Sequence, residues 1–189
     1  MPYSETDIDF RKITPIQFEE LCFELLGHIG FKKLLWRQGG ADNGRDIEGI
    51  SDMNNQLVGS YEEKWFFECK HQSGGISPEQ LNSKFAWADA EKPQHVAILT
   101  TTYLTNGCRV WIEKIRNDKA YRIHIIEGKQ LTSLVLGYSD IISTYFIDES
   151  KKLLLDVQRN WLFHNLIPGP DTFLLLSRKI TPSKLTKMK

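Results

Sequence analysis

Val96 to Thr101 (VAILTT) is a short unbroken apolar run, and it narrows the available folds more than any other feature of the chain. A strand with no polar alternation must be covered on both faces, which places it at the centre of a sheet between two helical layers. The flanking segments supply such layers. Ser77-Pro78-Glu79-Gln80 is a helix-start signal that opens a helix to about Glu91. Behind Thr105, the residues Cys108, Trp111, Ile112 and Ile115 recur at helical spacing.

Upstream, Thr14-Pro15-Ile16-Gln17 offers an N-cap Thr, a Pro at the first helical position and a Gln at the third. Phe18, Leu21, Cys22, Leu25, Leu26 and Ile29 continue the helical period until Gly30 ends it. Lys32 to Arg37 reads as a strand, and a glycine-rich loop from Gln38 to Gly44 follows. Asp46 to Ile50 reads as a second strand and Ser51 to Ser60 as turn-rich. Lys64 to Lys70 (KWFFECK) is an aromatic-rich third strand. Tyr121 to Ile126 is the last strand, and Leu131 to Phe146 reads as one helix. The order α-β-β-β-α-β-α-β-α defines an α/β chain with a central mixed sheet flanked by helices.

Residues 1–148 are expected to form this one domain. From 149 to 189 the pattern is that of a helical extension or linker. Leu153, Leu154, Val157 and Trp161 mark an amphipathic helix, Pro168-Gly169-Pro170 breaks it, and Thr181-Pro182 resembles a further helix start. Seven residues after Pro182 are too few for a stable isolated helix, which leaves two readings open, the start of a further domain beyond this chain or a frayed basic tail. No apolar run approaches the roughly 20 residues that span a bilayer, and the N-terminus has no apolar leader. No membrane partner and a cytoplasmic location are therefore expected. Cys22, Cys69 and Cys108 are odd in number and lie in apolar segments, as buried free thiols do. With no CxxC or HxxxH pair, a structural zinc site is not expected.

Candidate chemistry gathers on the third strand. Side chains alternate across a strand, so Trp65, Phe67 and Cys69 share an apolar face while Lys64, Phe66, Glu68 and Lys70 share the other. Asp46 opens the neighbouring strand, beside the glycine-rich loop. An acid pair next to an amine suits phosphodiester hydrolysis, because Mg²⁺ binds through one or two carboxylates while keeping several waters. Taken alone, E-x-K on a strand reads as a surface ion pair. Asp42 reads as a turn residue and Glu48 as a solvated strand acid. Trp65, Trp87, Trp111 and Trp161 read as core.

Phe18-Glu19, Leu25-Leu26, Gly30-Phe31, GGADNGRDIEG (Gly39 to Gly49), FECK (Phe67 to Lys70) and AILTT (Ala97 to Thr101) together resemble the Mrr-like restriction endonuclease domain of the PD-(D/E)XK superfamily. The resemblance runs from about residue 14 to 135 and closes on Ile125-Ile126-Glu127-Gly128. It implies a restriction-endonuclease-like core with α-β-β-β-α-β order. It also implies Mg²⁺ ligation by Asp46, Glu68 and the Cys69 carbonyl, with Mn²⁺ as a substitute. Lys70 would be the catalytic lysine and Glu19 an additional acid from the first helix, whereas Glu20 and Glu24 read as surface acids. Arg45, His71, Gln72, Arg37 and Lys33 are candidate nucleic-acid contacts.

The expected function is a Mg²⁺-dependent DNA endonuclease, the effector of an antiviral defence or restriction system, working as a dimer or higher homo-oligomer under a C-terminal sensor domain. Two alternatives stay open at this point. One is a catalytically silent DNA-binding or assembly module, and the other is a nuclease acting on RNA or branched DNA. The chain carries 24 basic and 24 acidic residues, so its own electrostatic grip on phosphates is weak.

Overall fold

The computed structural model describes residues 3–37 and 46–179. Two short 3₁₀ turns, Glu5–Asp7 and Phe10–Lys12, precede helix α1 (Pro15–Ile29). The Thr14 signal is realised as a reciprocal cap: Gln17 N–H donates to Thr14 Oγ1 (3.2 Å) and Thr14 N–H to Gln17 Oε1 (2.9 Å). Gly30 ends the helix in the left-handed region at φ 108°.

Strands β1 (Lys32–Trp36), β2 (Ile47–Asn55) and β3 (Gly59–Lys70) follow, then α2 (Glu79–Glu91), β4 (His95–Thr100), α3 (Asn106–Arg116) and β5 (Arg122–Glu127). They form one sheet in the order β1-β2-β3-β4-β5. The first three strands are an antiparallel meander, and β4 and β5 continue it in parallel with β3. This is the mixed sheet between helices that the central run demands, and all six residues of β4 are buried.

The two faces of β3 part as their alternation requires. On one side Phe67 packs edge-on to Phe31 beside the buried face of α1 (Phe18, Leu21, Cys22, Leu25, Leu26). On the other, Phe66 joins Leu81, Phe85 and Ala88 of α2 with Cys108 and Ile112 of α3. Each fully buried side chain of this size stabilises the fold by about 1.5–3 kcal/mol. A Cβ at Gly49 would lie 2.8 Å from Leu34 Cδ2, so a larger residue there would make the Leu34 side chain shift.

The structure departs from the sequence reading in four places. Ser51 to Ser60 is not a run of turns: β2 and β3 pair as far as Asn55 and Gly59, giving a long hairpin. Its outer half is exposed on both faces, so no apolar alternation marks it as strand. The helix read over Leu131 to Phe146 is two, α4 (Gly128–Leu136) and α5 (Ser139–Tyr145), parted at Gly137 and Tyr138, whose N–H groups close a turn on Leu134 and Val135. Glu48 is buried rather than solvated, paired to Arg37 and to Lys64 (3.3 Å). Trp87 and Trp161 are exposed, not core, because the apolar stripe of α2 runs through Leu81, Phe85 and Ala88 and bypasses Trp87.

The chain divides into two compact units, Met1–Tyr145 and Phe146–Lys189. The second holds α6 (Glu149–His164), capped by Asp148, and α7 (Pro170–Lys179). Leu154, Val157, Trp161, Ile167 and Phe173 of this unit line an apolar cavity of about 450 Å³. Among the described residues no helix is long and apolar enough to cross a membrane. Asp42, Arg45, the glycine-rich loop and the start signal at Thr181 lie outside the described residues.

Candidate active site

The register of the hairpin builds the site. Ile47 pairs with Phe67, so one step further Asp46 lies across from Glu68 at the end of the ladder. Both carboxylates are buried, Asp46 at 7% exposure and Glu68 at 2%. Asp46 is held by its backbone, through Arg37 N–H to its carbonyl (2.8 Å) and its own N–H to the Phe67 carbonyl (3.1 Å). Its side chain is held too, because Cys69 N–H donates to Asp46 Oδ2 at 2.6 Å. The N–H and C=O of one strand residue point to the same side. The Cys69 carbonyl therefore faces the edge that Asp46 occupies.

Glu68 sits between two ammonium groups. Lys70, two residues along the same face, pairs with Oε1, and Lys84 of α2 pairs with Oε2 at 3.2 Å. Both oxygens thus face an ammonium group. Burial pushes the Glu68 carboxyl above the usual range, with both lysines acting against the rise. Burial also pushes Asp46 up, to about 7, and the charge of Glu68 adds to the effect while the Cys69 N–H opposes it.

This donor set fits a divalent hard ion. Two buried carboxylates lie side by side, with Lys70 and Lys84 against the oxygens of one. Among the described residues no group of three or more His, Cys, Asp and Glu side chains gathers at one point. A pair of carboxylates is the kind of donor set that a hard divalent ion takes. Asp46, Glu68 and the Cys69 carbonyl are the groups that could hold it.

The remaining candidates are distributed unevenly. Glu19 projects from α1 and accepts from Trp36 Nε1 (3.2 Å), near enough for its charge to act on Asp46. His71 and Gln72 follow Lys70 and line a cleft of about 590 Å³, together with Arg11, Thr101 and Thr102. His71 Nε2 donates to the Phe10 carbonyl (2.8 Å) and Gln72 donates to the Gly74 carbonyl (2.9 Å). Arg37 is turned onto Glu48, and Lys33 reaches Glu62 at 2.7 Å on the exposed hairpin. Arg45 lies outside the described residues.

Sequence reasoning missed Lys84. The signal was present: Leu81, Phe85 and Ala88 define the buried stripe of α2, and position 84 falls within it. A lysine on that stripe needs an acid to meet, and Glu68 is that acid.

Comparison with known proteins bears on the family and the fold. The family model Mrr_cat, described as a restriction endonuclease, matches residues 10–135. No curated protein matches the chain. Among solved structures, the DNA modification-dependent restriction endonuclease AspBHI is similar over 70% of this chain, at 13% identity and a TM-score of 0.55. MspJI restriction endonuclease in complex with a 27-mer oligonucleotide is similar over 85% of it, at 20% identity and a TM-score of 0.51. The similar region covers 35% of each of those chains, so this chain spans about a third of their length. At such identities the likeness concerns the fold.

Proposed function

The chain belongs to the Mrr_cat restriction endonuclease family, and from that premise we propose that it is the nuclease domain of a Mg²⁺-dependent DNA endonuclease, with Mn²⁺ able to substitute. The observation that carries this reading is the buried pair Asp46 and Glu68 on facing strands, with Lys70 and Lys84 on the Glu68 oxygens. A pair of buried acids is costly unless a cation meets it.

A divalent ion held by Asp46, Glu68 and the Cys69 carbonyl would act as a Lewis acid toward the phosphodiester and make a coordinated water more acidic. The residues of the chain do the rest. Cys69 N–H fixes Asp46 in one orientation, so the acid is placed before substrate arrives. Lys70 is 23% exposed, enough to be reached from the cleft. Its ammonium orients the attacking water and offsets the negative charge that grows on the phosphate oxygens. The water oxygen forms a bond to phosphorus as the P–O bond to one sugar breaks. Glu19 adds negative charge beside Asp46 and strengthens the preference for a cation. His71 and Gln72 follow Lys70 in the chain and would approach the DNA backbone next to the scissile phosphate, with Arg45, Arg37 and Lys33 as further candidate contacts by their place in the sequence.

The balanced charge of the chain makes tight autonomous DNA binding unfavourable. A homo-oligomer, or a further sensor domain of the same polypeptide, would supply the missing grip and bring two sites to one duplex. The second unit, residues 146–189, exposes Leu162, Phe163 and Ile167 and is a suitable connector to such a partner. Service as the effector of a restriction or antiviral system in the cytoplasm is the biological setting that accords with family membership.

The test is cleavage of supercoiled plasmid by the parent and by Lys70→Ala, each with Mg²⁺ and with EDTA. Nicking is expected for the parent with Mg²⁺ only. Equal nicking by Lys70→Ala would overturn the assignment.

A further inference from the structure

Lys84 enters the site from a different element than the three family residues. It lies on α2, within the stripe that packs on Phe66, and only 13% of its side chain is exposed. Its ammonium is 3.2 Å from Glu68 Oε2, while Lys70 meets Oε1. Its positive charge also acts on Asp46. Two ammonium groups therefore already face the two acids inside a buried site, with Glu19 nearby, before any metal enters.

That arrangement has a consequence for a divalent cation. Adding a double positive charge sets it against two ammonium groups, and like charges at 3–4 Å repel strongly where water is scarce. One ammonium has to give way. Lys70 shares a strand with Glu68 and is the more exposed of the two, so it can remain at the mouth of the site. Lys84 is anchored on α2 and contacts the other oxygen, where an ion shared by Asp46 and Glu68 would draw on the same lone pairs.

We propose that Lys84 is a built-in counter-ion that stands in for the metal, holding Glu68 in its ligating position in the metal-free protein and competing with Mg²⁺ for it. This rests on Asp46 and Glu68 being the metal ligands. Lys84 is thus a positioning residue that sets how much free Mg²⁺ the site requires. The metal-free nuclease keeps its two acids folded and ordered, and the ion is admitted only when its concentration is high enough to displace an ammonium.

The experiment compares the parent with Lys84→Met, Lys84→Arg and Asp46→Asn by titration calorimetry with MgCl₂ and by thermal melting in EDTA and in Mg²⁺. Methionine keeps the packing length of the side chain and deletes the charge. Lys84→Met is expected to bind Mg²⁺ about tenfold more tightly than the parent, a change of about 1.4 kcal/mol. Its melting temperature is expected to fall by about 5 °C in EDTA and to recover in Mg²⁺, whereas Lys84→Arg behaves as the parent.

Equal or weaker Mg²⁺ binding by Lys84→Met, or an equal loss of melting temperature with and without metal, would overturn the proposal and leave Lys84 a packing residue. If Lys84→Met folds only with Mg²⁺, that metal dependence supports it. If it folds in neither condition, Lys84→Gln takes its place under the same criteria. The metal-ligand reading fails separately: the parent would then bind no Mg²⁺, or Asp46→Asn would bind it as the parent does.

Discussion

Two polar clusters border β3 about five residues apart, and they are built on opposite principles. In one, Glu63, His95 and His124 meet beside Trp65. His95 Nε2 donates to Glu63 Oε2 (2.9 Å), its Nδ1 is shared with His124 Nε2 (2.9 Å), and its ring stacks on Trp65 at 4.0 Å. Both ring nitrogens of His95 have partners. About five residues along the strand, roughly 16 Å at strand rise, Asp46 and Glu68 are both buried, and burial pushes both carboxyls upward despite Lys70 and Lys84 on Glu68. A satisfied cluster contributes rigidity. Carboxyls held above their ordinary range store unfavourable energy that a cation can release. Polar burial alone does not separate structure from function; the cost left after pairing does.

The largest expected effect comes from making the second cluster resemble the first. Asp46→Asn retains an oxygen to accept from Cys69 N–H but removes a buried charge and its repulsion with Glu68. Plasmid nicking is expected to fall by ~10³-fold, as for loss of a principal electrostatic group, while melting in EDTA at pH 8 moves upward. A variant that loses activity and stability together would show that Asp46 is structural.

The converse change is smaller in energy and leaves function intact. His95→Ala strands Glu63 and His124 and removes the stack on Trp65. A loss of about 3 kcal/mol is expected by urea denaturation. Nicking per folded molecule should stay within about twofold of the parent, because Trp65 and His95 share a register five residues from Lys70. A much greater loss of activity would couple the two clusters and erase the distinction drawn between them.

The pH dependence of stability should separate the two clusters by sign. Asp46 titrates near 7 in the folded protein and from an ordinary value of 3.8 when unfolded, so the folded state holds the extra proton between these values. Metal-free stability therefore declines as pH rises through that window, with the raised Glu68 acting in the same direction. Burial and the charges of His95, Arg122 and Arg116 hold His124 below its ordinary 6.5. Its contribution is present above 6.5 and is lost as pH falls. Melting from pH 4 to 8 in EDTA should show Asp46→Asn gaining most at the alkaline end and His124→Phe gaining at the acidic end. Parallel pH profiles for parent and Asp46→Asn would contradict the first assignment.

The same contrast explains what could be read from the chain. β4 and α1 were legible because burial on both faces and a reciprocal cap each leave a local signature, in Val96 to Leu99 and in Thr14 with Gln17. Glu68 and Lys70 were legible because alternation alone puts them on one face. The cluster of Glu63, His95 and His124 was not, since its members come from three strands and meet only once the parallel register forms. Lys84 fell between these cases: its helix position was readable, but its partner lay 16 residues upstream on another element. The outer hairpin was hidden because exposed strand residues such as Asp52, Asn54 and Glu62 obey pairing rather than burial.

That hairpin supplies the smallest expected effect and the finest test. Lys33 pairs with Glu62 at 2.7 Å, and both side chains are more than half exposed. Such a pair is worth at most about 0.5–1 kcal/mol, so Lys33→Ala should barely move the urea midpoint. Its use in DNA binding is a separate matter, because a surface carboxylate that already neutralises the ammonium reduces what a phosphate would gain. The dependence of DNA binding on salt reads this directly. If Lys33 touches the backbone, its removal lowers the log–log slope by about 1 and weakens all sequences alike. The ion pair predicts an unchanged slope instead. A reduced slope would return Lys33 to the nucleic-acid interface and extend the functional end of the molecule onto the hairpin.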